Sequence, residues 1–583
     1  MSAWAGEERS FDAIVLGAGG AGLRAAIELA AAGLSAGVVS KSLLGKAHTV
    51  MAEGGVAAAL GSLDPEDGWL THFRDTMRSG HFINDYRAAL LLAQEAPERV
   101  WELESWGALF DRTAEGRIQQ RPFGAHTYRR LCHVGDRTGL ELIRTLQYRA
   151  LAAGIQVLPE VSAIHLLQGA GGVAGVVAYK RGSGEFLLLR AGAVILATGG
   201  WGRLWGVTSN SWEGTGEGAA LAYLAGAELR DMEMVQFHPT GMVWPPGVRG
   251  LLVTEGVRGE GGLLLNAEGR RFMLDYDPRR RELSARDVVA RAIHQEVHAG
   301  RGTPHGGVWL DVTHLGTARI RSKLPTMYEQ FRALADVDIT REPFEVAPTV
   351  HYMMGGVRAD PYTGATGVPG LFAAGEVASG LHGANRLGGN SLADLLVFGR
   401  RAGLAARAYL AGLESFPRAD PGEAAAAMTR ALAPLGREGG ENPFTLQDEL
   451  RQIMDEHAGI LRDGPLLQRG LARVLELGER AKGVGAAASR TFNPAWHAAL
   501  ELGAMRILAE AVLRSALART ESRGSHWRAD HPREDPELGR VNIIVRRQGQ
   551  GQGMGVLTAP VPVLPPELGE GLLPGGPPRS EQS

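Results

Sequence analysis

The chain reads as an α/β protein: a dinucleotide-binding domain interrupted by an α+β capping insert, then a helical domain and a short C-terminal domain. Three observations carry this. Residues 11–16 form a short apolar run with β-branched members. They pass directly into Gly17-Ala18-Gly19-Gly20-Ala21-Gly22 and a helical run over 23–32, the strand–turn–helix order of a Rossmann-like unit. Two later apolar strands return to that sheet across a long interruption, one ending Ala197-Thr198-Gly199-Gly200 and the other Ala374-Gly375-Glu376. From about residue 425 to 520, Ala, Leu, Glu and Arg recur with a helical period. The expected divisions are 1–240 and 349–415 for the two parts of the nucleotide-binding domain and 241–348 for the insert. Residues 425–535 form the helical domain, and 536–583 a C-terminal segment with a Pro/Gly-rich tail.

Each element has its reason. In the G-x-G-x-x-G turn, Gly17 permits the turn and Gly19 lets backbone approach a pyrophosphate. Gly22 allows close helix–strand packing. Anionic phosphates suit the helix N-terminus, whose N–H groups have no intrahelical acceptor. The second strand, about residues 36–39, ends in Ser40-Lys41, where such sites often carry an acid for a ribose. That acid is missing, which disfavours a plain NAD site and suits a flavin held through serine. Residues 64–150 read mostly as helices with Trp101, Trp106 and Phe110 on packing faces. Asp136 is expected to cap the helix that follows it. His72, His81, His126 and His133 are scattered here and read as structural; no metal site is expected. Residues 154–200 read as strands. The basic run Arg279-Arg280-Arg281 in the insert is expected on a solvated face.

The loop Lys46-Ala47-His48-Thr49-Val50-Met51-Ala52-Glu53-Gly54-Gly55 follows the first β–α–β step and should run beside the bound cofactor. His48 is the candidate for a covalent link from imidazole to the flavin 8α carbon. Gly54 and Gly55 would let the loop pass close to a flat ring.

Bulk properties narrow the class. A length of 583 residues calls for several domains, and a net charge of −3 gives no reason to expect nucleic acid or an anionic membrane as partner. Cys132 is the only cysteine, so this chain alone holds neither a disulfide nor a cysteine-ligated cluster. Electrons from any redox step must therefore leave through an organic cofactor and then another protein. No apolar run is long enough to span a membrane, and no signal peptide is expected.

In its motifs and their order, the chain resembles the flavoprotein subunits of succinate dehydrogenase and fumarate reductase from about residue 11 to 545. The motifs are KAHTVMAEGG, QFHPTG, LVTEG, ARDVV, HYMMGG, AAGE and HGANRLGGNSL, with Glu521-Ser522-Arg523-Gly524-Ser525-His526 matching the late signature. The resemblance implies succinate oxidation with FAD, covalent through His48. Arg386 and His351 would hold one substrate carboxylate, His238 and Thr254 the other. Arg286 would act as general base, relayed through Glu255. FAD would contact residues 17–22, Ser40, Lys41, Thr49, Gly54 and Gly55, with Glu217, Glu376, Ser391 and Leu392 toward the ribitol and isoalloxazine. Glu217 departs from the family's usual aspartate, which implies a shifted contact.

The resemblance also implies an iron–sulfur subunit and a membrane anchor as partners, and a peripheral place on the cytoplasmic face of the membrane. Fumarate reductase is the alternative within the fold. L-Aspartate oxidase is the soluble rival, against which stand His48 and an apolar Phe123 where an ammonium would need a carboxylate.

Overall fold

The computed structural model describes residues 6–549 and 553–569. Its central sheet has five parallel strands in the order Leu371–Ala373, Ala193–Leu196, Ala13–Leu16, Ala36–Val39 and Gln156–Leu158. Every residue of the three inner strands is buried, which is why they read as unbroken apolar runs. Alternate side chains feed two cores. Val15, Val38 and Ile195 face helices Gly20–Ala31 and Asn390–Ala411. Ile14, Leu16 and Val194 face a second sheet and the helical domain. Helix Asn390–Ala411 crosses Gly20–Ala31 closely: a Cβ on Gly399 or Gly403 would lie 2.6 Å from the carbonyl of Ala21 or Ala25.

The second sheet orders Glu7–Ser10, Phe186–Arg190, Gly172–Lys180 and Val161–Gly169. Its first strand comes from the charged N-terminal stretch and pairs in parallel with Phe186–Arg190. The insert builds its own core around an antiparallel sheet of Val235–Met242, Phe344–Met353, Val308–Asp311 and Leu263–Leu265. The two long strands run across residues 240 and 349, so they join insert to nucleotide domain; His238 pairs with Thr349 and Gln236 with Tyr352.

Helices Pro421–Leu432, Pro443–His457, Gly464–Ala481 and Pro494–Ala518 form the helical domain. Asp420, Asn442, Asp463 and Asn493 cap them, and each has Pro in its first turn. The hairpin Val541–Arg547 and Met554–Pro560 completes a sheet with Leu229–Arg230, Gly356–Arg358 and Ala378–Ser379. Of the Pro/Gly-rich tail, 570–583 lies outside the described residues.

Two expectations fail locally. Trp101 is 46% exposed and does not pack; its helix, Tyr86–Ser105, turns Val100 and Leu103 inward instead. Asp136 does not cap helix Thr138–Ala152, whose N-cap Arg137 offers no side-chain bond. Its carboxylate accepts from the Thr326 amide (2.9 Å) and hydroxyl (2.6 Å) at the start of helix Pro325–Ala335, a bond from nucleotide domain to insert. Arg279, Arg280 and Arg281 are exposed.

Candidate active site

One cavity between the central sheet and the insert is lined by every candidate residue except Gly22. At its phosphate end, Gly17 has φ +112° and a Cβ there would lie 2.2 Å from the Ala197 carbonyl; no L side chain fits. Gly19 is the N-cap of helix Gly20–Ala31 and supplies no capping side chain, so first-turn amides beyond that of Gly20 are left for an anion. Gly22 stands behind the turn, where a Cβ would lie 1.9 Å from Gly17 O. It is a packing glycine.

Further in, Ser40 is buried. Lys41 Nζ pairs with Glu217 (2.6 Å) and Glu501 (2.8 Å) and donates to Thr215 Oγ1 at 2.7 Å. Burial pulls this ammonium's pKa down, but the two carboxylates outweigh it and raise it. Glu217 and Lys41 are thus bound to each other, which single-position reading did not foresee. Burial lifts Glu376 to about 7, and its Oε1 accepts the Met353 amide at 3.0 Å.

His48 begins the turn His48–Met51, and its Nδ1 accepts the Ser211 amide at 3.4 Å. That leaves Nε2 as the ring atom for a covalent link. Burial lowers its pKa, so the imidazole is neutral. Thr49 Oγ1 accepts the Gly20 amide at 3.3 Å, tying the loop to the phosphate helix. Gly54 and Gly55 line the cavity, yet what excludes their side chains is protein: a Cβ would meet the Phe123 ring at 2.9 Å and Cys132 O at 2.9 Å.

The far end gathers His238, Thr254, Arg286, His351 and Arg386. His238 and His351 stack edge-on with centroids 5.1 Å apart, because paired strands of the insert sheet carry them. Burial, and then Arg286 beside His238 and His238 beside His351, holds both well below the usual histidine range. Both imidazoles are neutral. Arg286, first residue of helix Arg286–Glu296, donates Nε–H to Glu255 Oε2 at 2.9 Å and NH1 to Gln236 at 3.1 Å. Asp287 is taken by Arg291 (2.9 Å) and Asn385 (2.9 Å), not by Arg286. Burial works against the Glu255 carboxylate, but Arg286 and Arg258 hold its pKa at about 2, and the Gly124 amide donates to Oε1 at 2.6 Å. Arg386 lies 4.3 Å over the Tyr352 ring and donates to Ser391 Oγ at 3.1 Å. Its pKa falls to about 9 through burial and Arg286. Thr254 caps helix Glu255–Gly259, and Leu392 completes the wall.

Residue-by-residue reading missed Gln236, Tyr352, Ser209 and Glu53. Gln236 bonds Arg286, Asn385 and the Arg386 carbonyl, and Ser209 bonds His351 Nδ1 at 2.8 Å. Burial raises Glu53 well above the carboxylate range. Gln236, Tyr352 and Glu53 stand inside the family motifs, where their neighbours drew the assignment. His72 bonds Asn390, His126 the Gly388 carbonyl, His81 Glu534 and His133 Asp111.

FAD fits this cavity on the chain's own features. The glycine cradle leaves room for phosphates. Thr198 Oγ1, Ser211 Oγ and Glu213 Oε2 are buried without a hydrogen-bond partner, and all three residues line the cavity, so they offer groups to a polar ligand.

The chain matches the FAD binding domain over residues 12–392 and the fumarate reductase flavoprotein C-terminal domain over 447–563. It is 48% identical to one of the subunits of the fumarate reductase (CoM/CoB) of Methanothermobacter marburgensis, covering 93% of this chain and 98% of that one. It is 42% identical to the succinate dehydrogenase flavoprotein subunit of Coxiella burnetii, covering 93% and 95%. Among solved structures, Mycobacterium smegmatis Sdh1 in complex with UQ1 aligns at TM-score 0.87 and 51% identity, over 97% and 96% of the chains. A variant of Escherichia coli quinol fumarate reductase FrdA aligns at TM-score 0.90 and 37% identity, over 96% and 98%. With its glycine cradle, flavin loop and cationic far end in one cavity, this chain belongs to the FAD-binding flavoprotein family of succinate dehydrogenase and fumarate reductase subunits.

Proposed function

We propose that this chain is the flavoprotein subunit of a succinate:quinone oxidoreductase, converting succinate to fumarate with FAD bound covalently through His48. One observation carries the reading. With His238 and His351 neutral, the charges at the far end are the guanidiniums of Arg258, Arg286 and Arg386 against the carboxylate of Glu255. Three cations less one anion leave two positive charges, the complement of a dicarboxylate.

Arg386 and His351 hold one carboxylate, His238 and Thr254 the other. Arg386 presents two parallel N–H groups to its carboxylate, and the Tyr352 ring beneath fixes their plane. Bound FAD supplies the hydride acceptor. Arg286 takes the proton from the neighbouring methylene, and Glu255 holds its guanidinium in place through Nε. Arginine is a poor base in water, and Arg258 and Arg386 stand nearby.

Fumarate reduction is the second reading, favoured by the same residue in the reverse role: a guanidinium donates a proton more readily than it accepts one. Aspartate oxidation fits worst, because Phe123 packs against Gly54 and Gly388 and offers no anion to an ammonium.

Among the described residues no helix is long and apolar enough to cross a membrane. The electrons leave through an iron–sulfur subunit, and a membrane anchor subunit holds the complex on the cytoplasmic face. The test is flavin fluorescence of the acid-denatured chain on a gel beside His48→Ser, with dye-coupled oxidation of succinate and of aspartate. Fluorescence kept by the wild type and lost by the variant, with succinate alone oxidised, supports the reading. Flavin lost from both chains, or aspartate preferred, overturns it.

A further inference from the structure

His351 enters the cavity from strand Phe344–Met353, and its two ring nitrogens have different surroundings. Nδ1 lies 2.8 Å from Ser209 Oγ, whereas Nε2 makes no protein hydrogen bond among the described residues. A neutral imidazole carries one N–H. Whichever nitrogen holds that proton decides whether the ring offers the cavity a donor or an acceptor. The hydrogen count at Ser209 makes the choice. Its hydroxyl has one proton and two acceptors in reach, His351 Nδ1 at 2.8 Å and the Val350 carbonyl at 3.3 Å. That carbonyl already accepts the Ser209 amide at 2.9 Å and the Thr208 hydroxyl at 3.0 Å, which fills its two lone pairs. The serine proton therefore goes to Nδ1, and the ring proton stays on Nε2. Ser209 has little freedom to do otherwise. It is buried, and its segment runs parallel beside the strand, with Val350 N–H donating to Val207 O at 3.1 Å and Asn210 Nδ2 to His351 O at 2.9 Å. The helical domain holds the other end: Trp205 Nε1 donates to Ala458 O at 3.2 Å, and the Gly206 amide to Asp455 at 3.1 Å.

We propose that Ser209 is a positioning residue that pins the His351 proton on Nε2, so that this ring meets a substrate carboxylate as a hydrogen-bond donor. The inference rests on the proposed dicarboxylate chemistry and adds how a neutral imidazole is made to serve it. With the proton on Nδ1 instead, Nε2 would turn a lone pair toward the anion, and the contact would be repulsive. A protonated ring would donate from both nitrogens, but burial and the neighbouring His238, Arg286, Arg386 and His48 oppose that charge. Orientation of the proton must then do what charge does not. An N–H bond to a carboxylate is also stronger than one between neutral groups, so the choice of tautomer bears directly on affinity. Because the bond serves bound substrate and transition state alike, its loss should raise KM more than it lowers kcat.

The test uses the full flavin-loaded chain as wild type, Ser209→Ala, His351→Ala and the double variant. Malonate, a dicarboxylate without the adjacent methylene pair that oxidation needs, is titrated through its perturbation of flavin absorbance. Dye-coupled succinate oxidation is measured beside it. Ser209→Ala should raise the malonate Kd and the succinate KM about tenfold. It should keep its flavin and lower kcat less than about threefold. In the His351→Ala background the same change should shift the malonate Kd less than about twofold, because the serine acts through that ring. An unchanged Kd in Ser209→Ala overturns the inference. So does a tenfold shift that persists without His351, or one that comes with loss of flavin, and each of these leaves the succinate reading standing. A flavin-loaded wild type that neither binds malonate nor oxidises succinate overturns that reading and the inference together.

Discussion

Replacing Glu255 by Gln probes the site's charge balance with almost no change of shape. The carboxylate accepts from Arg286 Nε at 2.9 Å and from the Gly124 amide at 2.6 Å, and lies 3.7 Å from Arg258. An amide has one accepting oxygen, so either orientation turns its N–H₂ against a donor. The pKa falls from 4.5 to about 2, which corresponds to about 3 kcal/mol of stabilisation of the charged form. Breaking a buried pair from one side costs a similar about 3–5 kcal/mol. Because the folded pKa is depressed, this stabilisation is complete above pH 4.5 and is lost as pH falls through about 2. Glu255→Gln should lower the unfolding free energy at pH 7 by about 3 kcal/mol in urea titration. It should also flatten the acid limb of stability. If the Arg286 geometry degrades in proportion, dye-coupled turnover falls about 100-fold. A variant within about 0.5 kcal/mol and about threefold of the wild type would refute the charge argument.

Further outcomes follow from the same cavity. Burial raises Glu376 from 4.5 to about 7, so the flavin-free protein should lose stability as pH rises through that window and level off above it. Glu376→Gln should then be more stable than wild type by about 1–3 kcal/mol at pH 8 and equal at pH 4.5, read by urea unfolding. Arg386→Lys loses the planar fork and its stacking 4.3 Å over Tyr352; kcat/KM for succinate should fall about 100-fold or more while bound flavin, measured spectroscopically, is unchanged. Gly17→Ala would put a Cβ 2.2 Å from Ala197 O at φ +112°. It should cost more than about 2 kcal/mol in thermal unfolding and lower the flavin content of the purified chain.

Much of the fold was legible because local chemistry declares it. The inner strands are buried on both faces and read as apolar runs. The helices of the C-terminal half carry their own caps and first-turn prolines. Where expectation and structure part, distant packing made the difference. Trp101 lies on a helix whose other face is buried, and Asp136 serves a helix start 190 residues away instead of its own. Gly54 and Gly55 have a ring and a carbonyl of the same chain as neighbours, which no local pattern announces.

The sequence by itself determined the strand–turn–helix phosphate unit, the apolar strands of the central sheet and the family to which the chain belongs. These rest on backbone requirements and on chemistry that neighbouring residues encode. Tertiary structure decided which residues share charge. Lys41 and Glu217 are 176 positions apart yet paired, and Glu255 joins Gly124 to Arg286. Gln236 joins Arg286 to the Arg386 carbonyl, a link that spans 150 positions. Electrostatic coupling depends on distance and burial, and chain separation says nothing about either until the insert sheet lays its two long strands side by side.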